Sequence, residues 1–353
     1  MTRVPTGPTD HGVPTEKRWR LGEAPWRSDR PFPPHARILI DNDFSGDPDD
    51  LYQIVHHLLS SSVEIRGVIC SHLRPGDPWD SSDDTAASAV AVCTDVFARM
   101  GLESTELILK GAARPMPDLE TPQDSEAARA IIAEAMREDT DLPLFYLAGG
   151  GLTDLAAAYL LEPRIASRMT LVWIGGLEHD GLATPPVGAM PIEYNLLIDV
   201  PAARVLFDAP GLEIWQIPRD VYRQCLVSET ELRRRVAATG PLGQYLYDEI
   251  RFVMDPVSHH RTESMPESYA LGDSPLVLVT ALRSTFEPDS TSSAHVLKPT
   301  PQITADGTYR PMNGTRLMRV YTRVDVRLMF EDFYLKLEEF AQWQASRSTP
   351  SSN

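Results

Sequence analysis

Residues 36–54, ARILIDNDFSGDPDDLYQI, decide how this chain folds. Ile38, Leu39 and Ile40 form an apolar run short enough to be a buried strand of a parallel sheet. Asp41, Asp43, Asp47, Asp49 and Asp50 follow it, and then Leu51, Ile54, Val55, Leu58 and Leu59 recur at helical spacing. Carboxylates at the C-terminal mouth of a strand that leads into a helix occupy the usual ligand-binding edge of an open α/β sheet. So many like charges cannot all stay ionised without a cation, and a hard divalent ion with oxygen ligands, calcium or magnesium, is the simplest partner. The plainer reading is a solvated acidic loop in which Asp49 or Asp50 caps the helix.

Two similar motifs fit poorly. The segment DNDFSG resembles the opening of a helix–loop–helix calcium loop, but the twelfth position falls on Tyr52, where a bidentate Glu is needed. The strand-end DxD of haloacid-dehalogenase-type phosphatases is usually followed by Thr or Val, whereas Phe44 and Ser45 stand here. A third match is closer. The strand, the acids and the helix resemble the N-terminal signature DxDxxxDD of the nucleoside hydrolases, with two additional residues before the Asp49-Asp50 pair. Asp47 keeps the family's spacing, so Asp47 or Asp49 takes the first place of the pair; the apolar LYQI that follows favours Asp49.

Working outward, VEIRGVIC (63–70) reads as the next buried strand and completes a βαβ unit. It ends near His72, where the family commonly has an Asn lining its site. A helix is expected over 85–100, a short strand at 107–110 before the turn GAARPMP, and a helix over 125–137. LPLFYLAGGGLTDL then reads as strand, glycine turn and helix. Its glycines let the backbone approach a ligand, and it resembles the family's GxLTN turn, which places a main-chain carbonyl ligand at Gly149. Another strand is expected over 169–174. The stretch IEYNLLIDVPAARVL (192–206) resembles the family's AEFNxxxDPEAAxxV, which implies that Glu193 and Asn195 bind ribose hydroxyls; vicinal hydroxyls need both acceptors and donors. Asp199 suits a helix N-cap before Pro201. A further Asn of the family pattern is replaced by Val187. After a strand over 212–217, Arg219 and Tyr222 lie within reach of a base pocket or simply pack. Ser228 with Glu231 reads as a capping box. GDSPLVLVTAL (272–282) resembles the segment that gives the family its last carboxylate ligand, here Asp273, with Gly272 where a His near the leaving base is common. His259 and His260, just upstream, are candidates for the missing acid or a polar surface pair. Loops and hairpin strands follow, then a strand at VYTRVDV and a helix over 326–343.

With 353 residues, 42% hydrophobic and 24% charged, the chain has the composition of an ordinary soluble protein with a large core. Its formal net charge of −17 excludes a nucleic-acid backbone as partner. No run of about 18 apolar residues spans a membrane, and the N-terminus lacks the apolar core of a secretory signal. Cys70, Cys93 and Cys225 lack metal-site spacing and read as reduced thiols of a cytoplasmic protein.

The expectation is therefore an α/β fold, Rossmann-like, with a mostly parallel central sheet flanked by helices: one large domain over 36–345, a flexible or loosely draped tail over 1–35, in which Trp19 and Trp26 hint at packing against the body or a second subunit, and a disordered tail over 346–353. The resemblance implies Ca²⁺ held by Asp43, Asp50, Asp273 and the Gly149 carbonyl. It implies Asp43 as general base, and Asp49, Glu193 and Asn195, with His72 nearby, on the substrate. It also implies hydrolysis of an N-riboside to base and ribose, and a homodimer or homotetramer. Two rivals remain: hydrolysis of another glycosidic substrate, and a calcium-dependent nucleoside- or sugar-binding protein without catalysis.

Overall fold

Alternation along the first strand sets the layers. In β1 (Arg37–Asn42) the side chains of Ile38 and Ile40 enter one buried cluster and Leu39 enters another, on the opposite face of the sheet. The computed structural model describes residues 4–5, 7, 9–27, 29, 31–255, 267–284, 286 and 291–346. After β1 come α1 (Asp49–Leu58), β2 (Glu64–Cys70), α2 (Thr85–Met100), β3 (Ile108–Lys110), α3 (Glu126–Ala135), β4 (Leu144–Ala148), α4 (Thr153–Leu161) and β5 (Thr170–Ile174). The chain continues through α5 (Tyr194–Ile198), α6 (Val200–Asp208), β6 (Glu213–Ile217), α7 (Arg219–Tyr222), β7 (Leu226–Ser228), α8 (Glu229–Arg235) and α9 (Pro241–Met254). It ends with β8 (Ser268–Ala270), α10 (Pro275–Leu278), β9 (Ala294–Pro299), β10 (Gln302–Ile303), β11 (Tyr309–Arg310), β12 (Leu317–Arg323) and α11 (Val326–Ala345).

The main sheet has eight strands in the order β3-β2-β1-β4-β5-β6-β12-β9, all parallel except β9, which runs antiparallel to β12 at the edge. The chain winds outward from β1 in one direction and from β4 in the other, so the crevice between their C-terminal ends is the switch point where such sheets bind ligands. Residues of α1, α2, α9, α10 and α11 bury one face, and residues of α3, α4 and α6 bury the other. This is the α/β architecture expected from the sequence. The N-caps expected at Asp199 and Ser228 form: Asp199 accepts the Ala202 N–H at 2.9 Å, and Ser228 accepts that of Glu231 at 3.1 Å, while the Glu231 carboxylate accepts the Tyr334 hydroxyl at 2.9 Å.

Part of the N-terminal segment packs against the body, as its tryptophans hinted. Trp19 pairs with Leu102 in a short parallel bridge, its indole N–H donates to the Met100 carbonyl at 2.8 Å, and its ring meets Trp26 edge-on at 4.7 Å. Trp26 in turn meets Phe340 of α11 edge-on at 5.2 Å. Burial of these rings outweighs the disorder-promoting Pro and Arg content around them. Of the 346–353 tail only Ser346 lies within the described residues.

Candidate active site

The site assembles where the switch point predicts it. Asp43 follows β1, and the turn closes through the Gly46 N–H donating to the Asp43 carbonyl at 2.7 Å. Asp49 and Asp50 open α1, where unpaired backbone N–H groups favour negative charge. From β4, the Gly149 N–H donates to the Asp41 carbonyl at 2.9 Å. A Cβ at Gly149 would collide with Asp273 Oδ2, and one at Gly150 would stand 3.2 Å from the Asp43 carboxyl carbon. Glycine there is a requirement of close approach. Asp273, which follows β8, donates its backbone N–H to Asp49 Oδ2 at 3.1 Å.

These residues line a pocket of about 300 Å³ that also includes Asp47, Trp79, Ile174, Glu193, Tyr194, Asn195, Tyr222, Ala270 and Gly272. Carboxylate oxygens of Asp49, Asp50 and Asp273 lie within 4.8 Å of one another. Burial, and then the Asp273 charge, push Asp43 and Asp50 well above the usual carboxylate range. Burial and the Asp47 charge do the same to Asp49. Burial pushes Asp273 up to about 7, with repulsion from Asp47 and Glu193 adding to it. Asp50 Oδ2 is buried without a hydrogen-bond partner. An all-oxygen donor set, mutual repulsion and an orphaned buried acceptor together fit a divalent cation.

Several expectations are refined by the geometry. The close triad contains Asp49, with Asp43 on the wall of the same pocket. The Gly149 carbonyl accepts an N–H of Asn195 at 2.8 Å, and the other amide hydrogen of Asn195 goes to the Ile174 carbonyl at 2.8 Å; the side-chain oxygen is what Asn195 retains for a ligand. Glu193 is not free to grip hydroxyls. Its carboxylate caps α5, accepting the N–H groups of Asn195, Leu196 and Gly176 and the Tyr222 hydroxyl at 2.6–3.1 Å, which uses its acceptor sites. His72 is 1% exposed and stays out of the pocket, its ring nitrogens bonded to the Leu73 carbonyl and the Thr153 hydroxyl. Asp47 reaches the pocket and accepts the Tyr269 hydroxyl. Tyr222 lines the pocket, whereas Arg219 forms a bidentate pair with Glu178 at 2.7–2.8 Å. His259 and His260 lie outside the described residues.

Sequence reasoning missed Asn42, Trp79 and Tyr194. The Asn42 amide donates to Asp50 Oδ1 at 2.8 Å and Asp273 Oδ2 at 3.0 Å, and also approaches Gln53 Oε1 at 3.2 Å. Alternation was the available signal, since Asn42 shares the parity of Ile38 and Ile40 and so faces α1. Trp79 and Tyr194 reach the pocket from the polar loop after β2 and from α5; Tyr194 lies between Glu193 and Asn195 in the quoted motif, whereas no local pattern marks Trp79.

Fold and pocket together define an open α/β protein with a cation-fitting carboxylate pocket at the switch point of its sheet. The family model for inosine-uridine preferring nucleoside hydrolases matches residues 38–331. The chain belongs to that family. It is similar to the inosine-uridine preferring nucleoside hydrolase of Crithidia fasciculata, 28% identical over 193 residues (52% of this chain, 56% of the relative). It is also similar to that of Leishmania major, 30% identical over 128 residues (35% and 38%). The matches thus span about half or less of these relatives. Among solved structures, a purine-preferring ribonucleoside hydrolase from Gardnerella vaginalis superposes with a TM-score of 0.64 at 20% identity, covering 87% of this chain and 99% of that one. A plant nucleoside hydrolase gives 0.63 at 16%, covering 86% and 99%. At such identities the likeness shows the fold.

Proposed function

We propose that this protein hydrolyses the N-glycosidic bond of a ribonucleoside or related N-riboside, releasing base and ribose. The observation that carries this reading is the meeting of half-buried Asp49 with buried Asp50 and Asp273, with an unpartnered Asp50 oxygen, beside Asp43. Asp43, Asp50, Asp273 and the Gly149 carbonyl would hold Ca²⁺, which suits oxygen donors. When bound, the ion supplies electrostatic polarisation of water and of sugar hydroxyls. Asp43 takes the proton of the attacking water as general base. Asp49 and the Asn195 side-chain oxygen accept from the 2′- and 3′-hydroxyls, while Glu193 fixes the start of α5 and so aims Asn195. Surrounding carboxylates stabilise the positive charge that develops on the ribosyl ring in an oxocarbenium-like transition state. Three buried free cysteines support a cytoplasmic setting.

The test is reducing-sugar release from purine and pyrimidine ribonucleosides with added Ca²⁺ and after chelation. Chelator-sensitive release is expected, and Asp43→Ala should abolish it while the circular-dichroism spectrum is kept. Calcium binding by calorimetry without release from any N-riboside would overturn the hydrolase reading in favour of a binding protein.

A further inference from the structure

The pocket wall carries more negative charge than one divalent ion balances. Asp43, Asp47, Asp49, Asp50, Glu193 and Asp273 line it, and among the described residues no Lys, Arg or His does. Trp79, Tyr194 and Tyr222 add aromatic rings to the wall, beside Ile174. Carboxylates combined with aromatic faces attract organic cations.

Among the described residues, no hydroxyl or imidazole on the wall is free to protonate a departing base. The Tyr194 hydroxyl donates to Asp77 Oδ2 at 2.8 Å and the Tyr222 hydroxyl to Glu193 Oε1 at 2.9 Å, so both hydrogens are engaged. Gly272 has no side chain to offer, and a Cβ there would stand 3.2 Å from both Asp49 Oδ2 and the Tyr222 ring. Asp49 itself is an acceptor, for the Asp273 N–H. A neutral base leaves with a proton; a quaternised ring does not need one.

We propose that the pocket is built for ribosides whose base is an N-quaternised, positively charged heteroaromatic ring of the pyridinium type. This rests on the N-riboside reading above. A bond forms between the water oxygen and C1′ while the C1′–N bond breaks, and its electron pair returns to the ring nitrogen and cancels the ring's positive charge. One water proton passes through Asp43 to solvent. The cationic riboside and water thus give ribose, a neutral base and one proton. Asp47 contributes charge that the ring senses before it leaves.

The full-length, Ca²⁺-loaded protein is assayed with 1-(β-D-ribofuranosyl)pyridinium, inosine and uridine. The expected kcat/KM for the pyridinium riboside exceeds the other two by about a hundredfold or more, the scale of a missing general acid. Asp47→Asn should raise KM for the cationic substrate on the order of tenfold, well beyond its effect on inosine, and added salt should weaken that difference. Equal or better turnover of inosine or uridine would overturn the inference and leave the N-riboside reading intact. An equal effect of Asp47→Asn on cationic and neutral substrates would overturn it too, because charge would not be what is recognised. No turnover of any of the three, with calcium bound, would remove both readings.

Discussion

Asn42 is the residue on which the carboxylate cluster turns. Its two amide hydrogens serve Asp50 and Asp273, acids that would otherwise face each other unsupported in a buried site. Groups that orient metal-holding carboxylates typically govern metal affinity by about 10–100-fold. Asn42→Leu, close in volume and without donors, should therefore weaken Ca²⁺ binding by about that factor in isothermal titration calorimetry. Unchanged affinity would mean that the acids hold themselves in place. The site was partly legible at this scale. The resemblance of the acid-rich strand end, the Gly149 turn and the segment around Asp273 to the family's motifs implied one pocket for Asp43, Asp49, Asp50 and Asp273, and the strand mouths and helix starts of the parallel sheet bring them there. For His72 the structure takes the structural alternative the sequence also allowed, and Glu193 lines the pocket with its acceptor sites already used, because a polar side chain's type does not say which group has already claimed it.

At the scale of elements, most strands and helices were readable because apolar spacing and caps agree along them. Short α7, β7 and β8 were not, and the longest element left unread is α9, whose buried Leu242, Tyr245, Leu246, Ile250 and Val253 keep a helical period that the polar residues between them obscured. In the N-terminal segment the two tryptophans hinted at packing, but not against which surface, because an indole's burial depends on a partner remote in sequence. Trp19, 2% exposed, closes over the C-terminal end of α2 and, through Trp26, reaches α11. Trp19→Ala should cost about 3–5 kcal/mol of unfolding free energy, read in urea melts, while kcat stays near the wild-type value because the substitution lies beyond the far end of α1 from the acids. A loss of kcat without a shift in the melt would show instead that the segment reaches the pocket.

For the whole molecule, the buried acids make stability depend on pH and metal together. Burial and the neighbouring Asp154 charge push Asp41 up to about 8, although its contact with the Tyr146 hydroxyl opposes the shift, and Asp273 stands at about 7. Both exceed the unfolded value of about 4. At these carboxyls the metal-free folded protein therefore binds more protons than the unfolded chain between about pH 4 and 8; their contribution is complete below that range and lost as pH rises through it. A cation bound to ionised carboxylates reverses the preference. Chelated protein should show Tm falling from pH 5 to pH 8 in thermal scans, with the gain from Ca²⁺ larger at pH 8 than at pH 5. A gain independent of pH would mean that the ion displaces no protons.

The meeting of Asp49 with Asp273 has a further consequence. These residues are 224 positions apart, yet a direct hydrogen bond joins them, and Asn42 reaches Asp273 from the same end of the chain. Most of the backbone lies inside the loop they close. Cleaving that loop at a surface turn would produce two fragments, each carrying half of the pocket, and the acids would serve as the point where the halves find each other again.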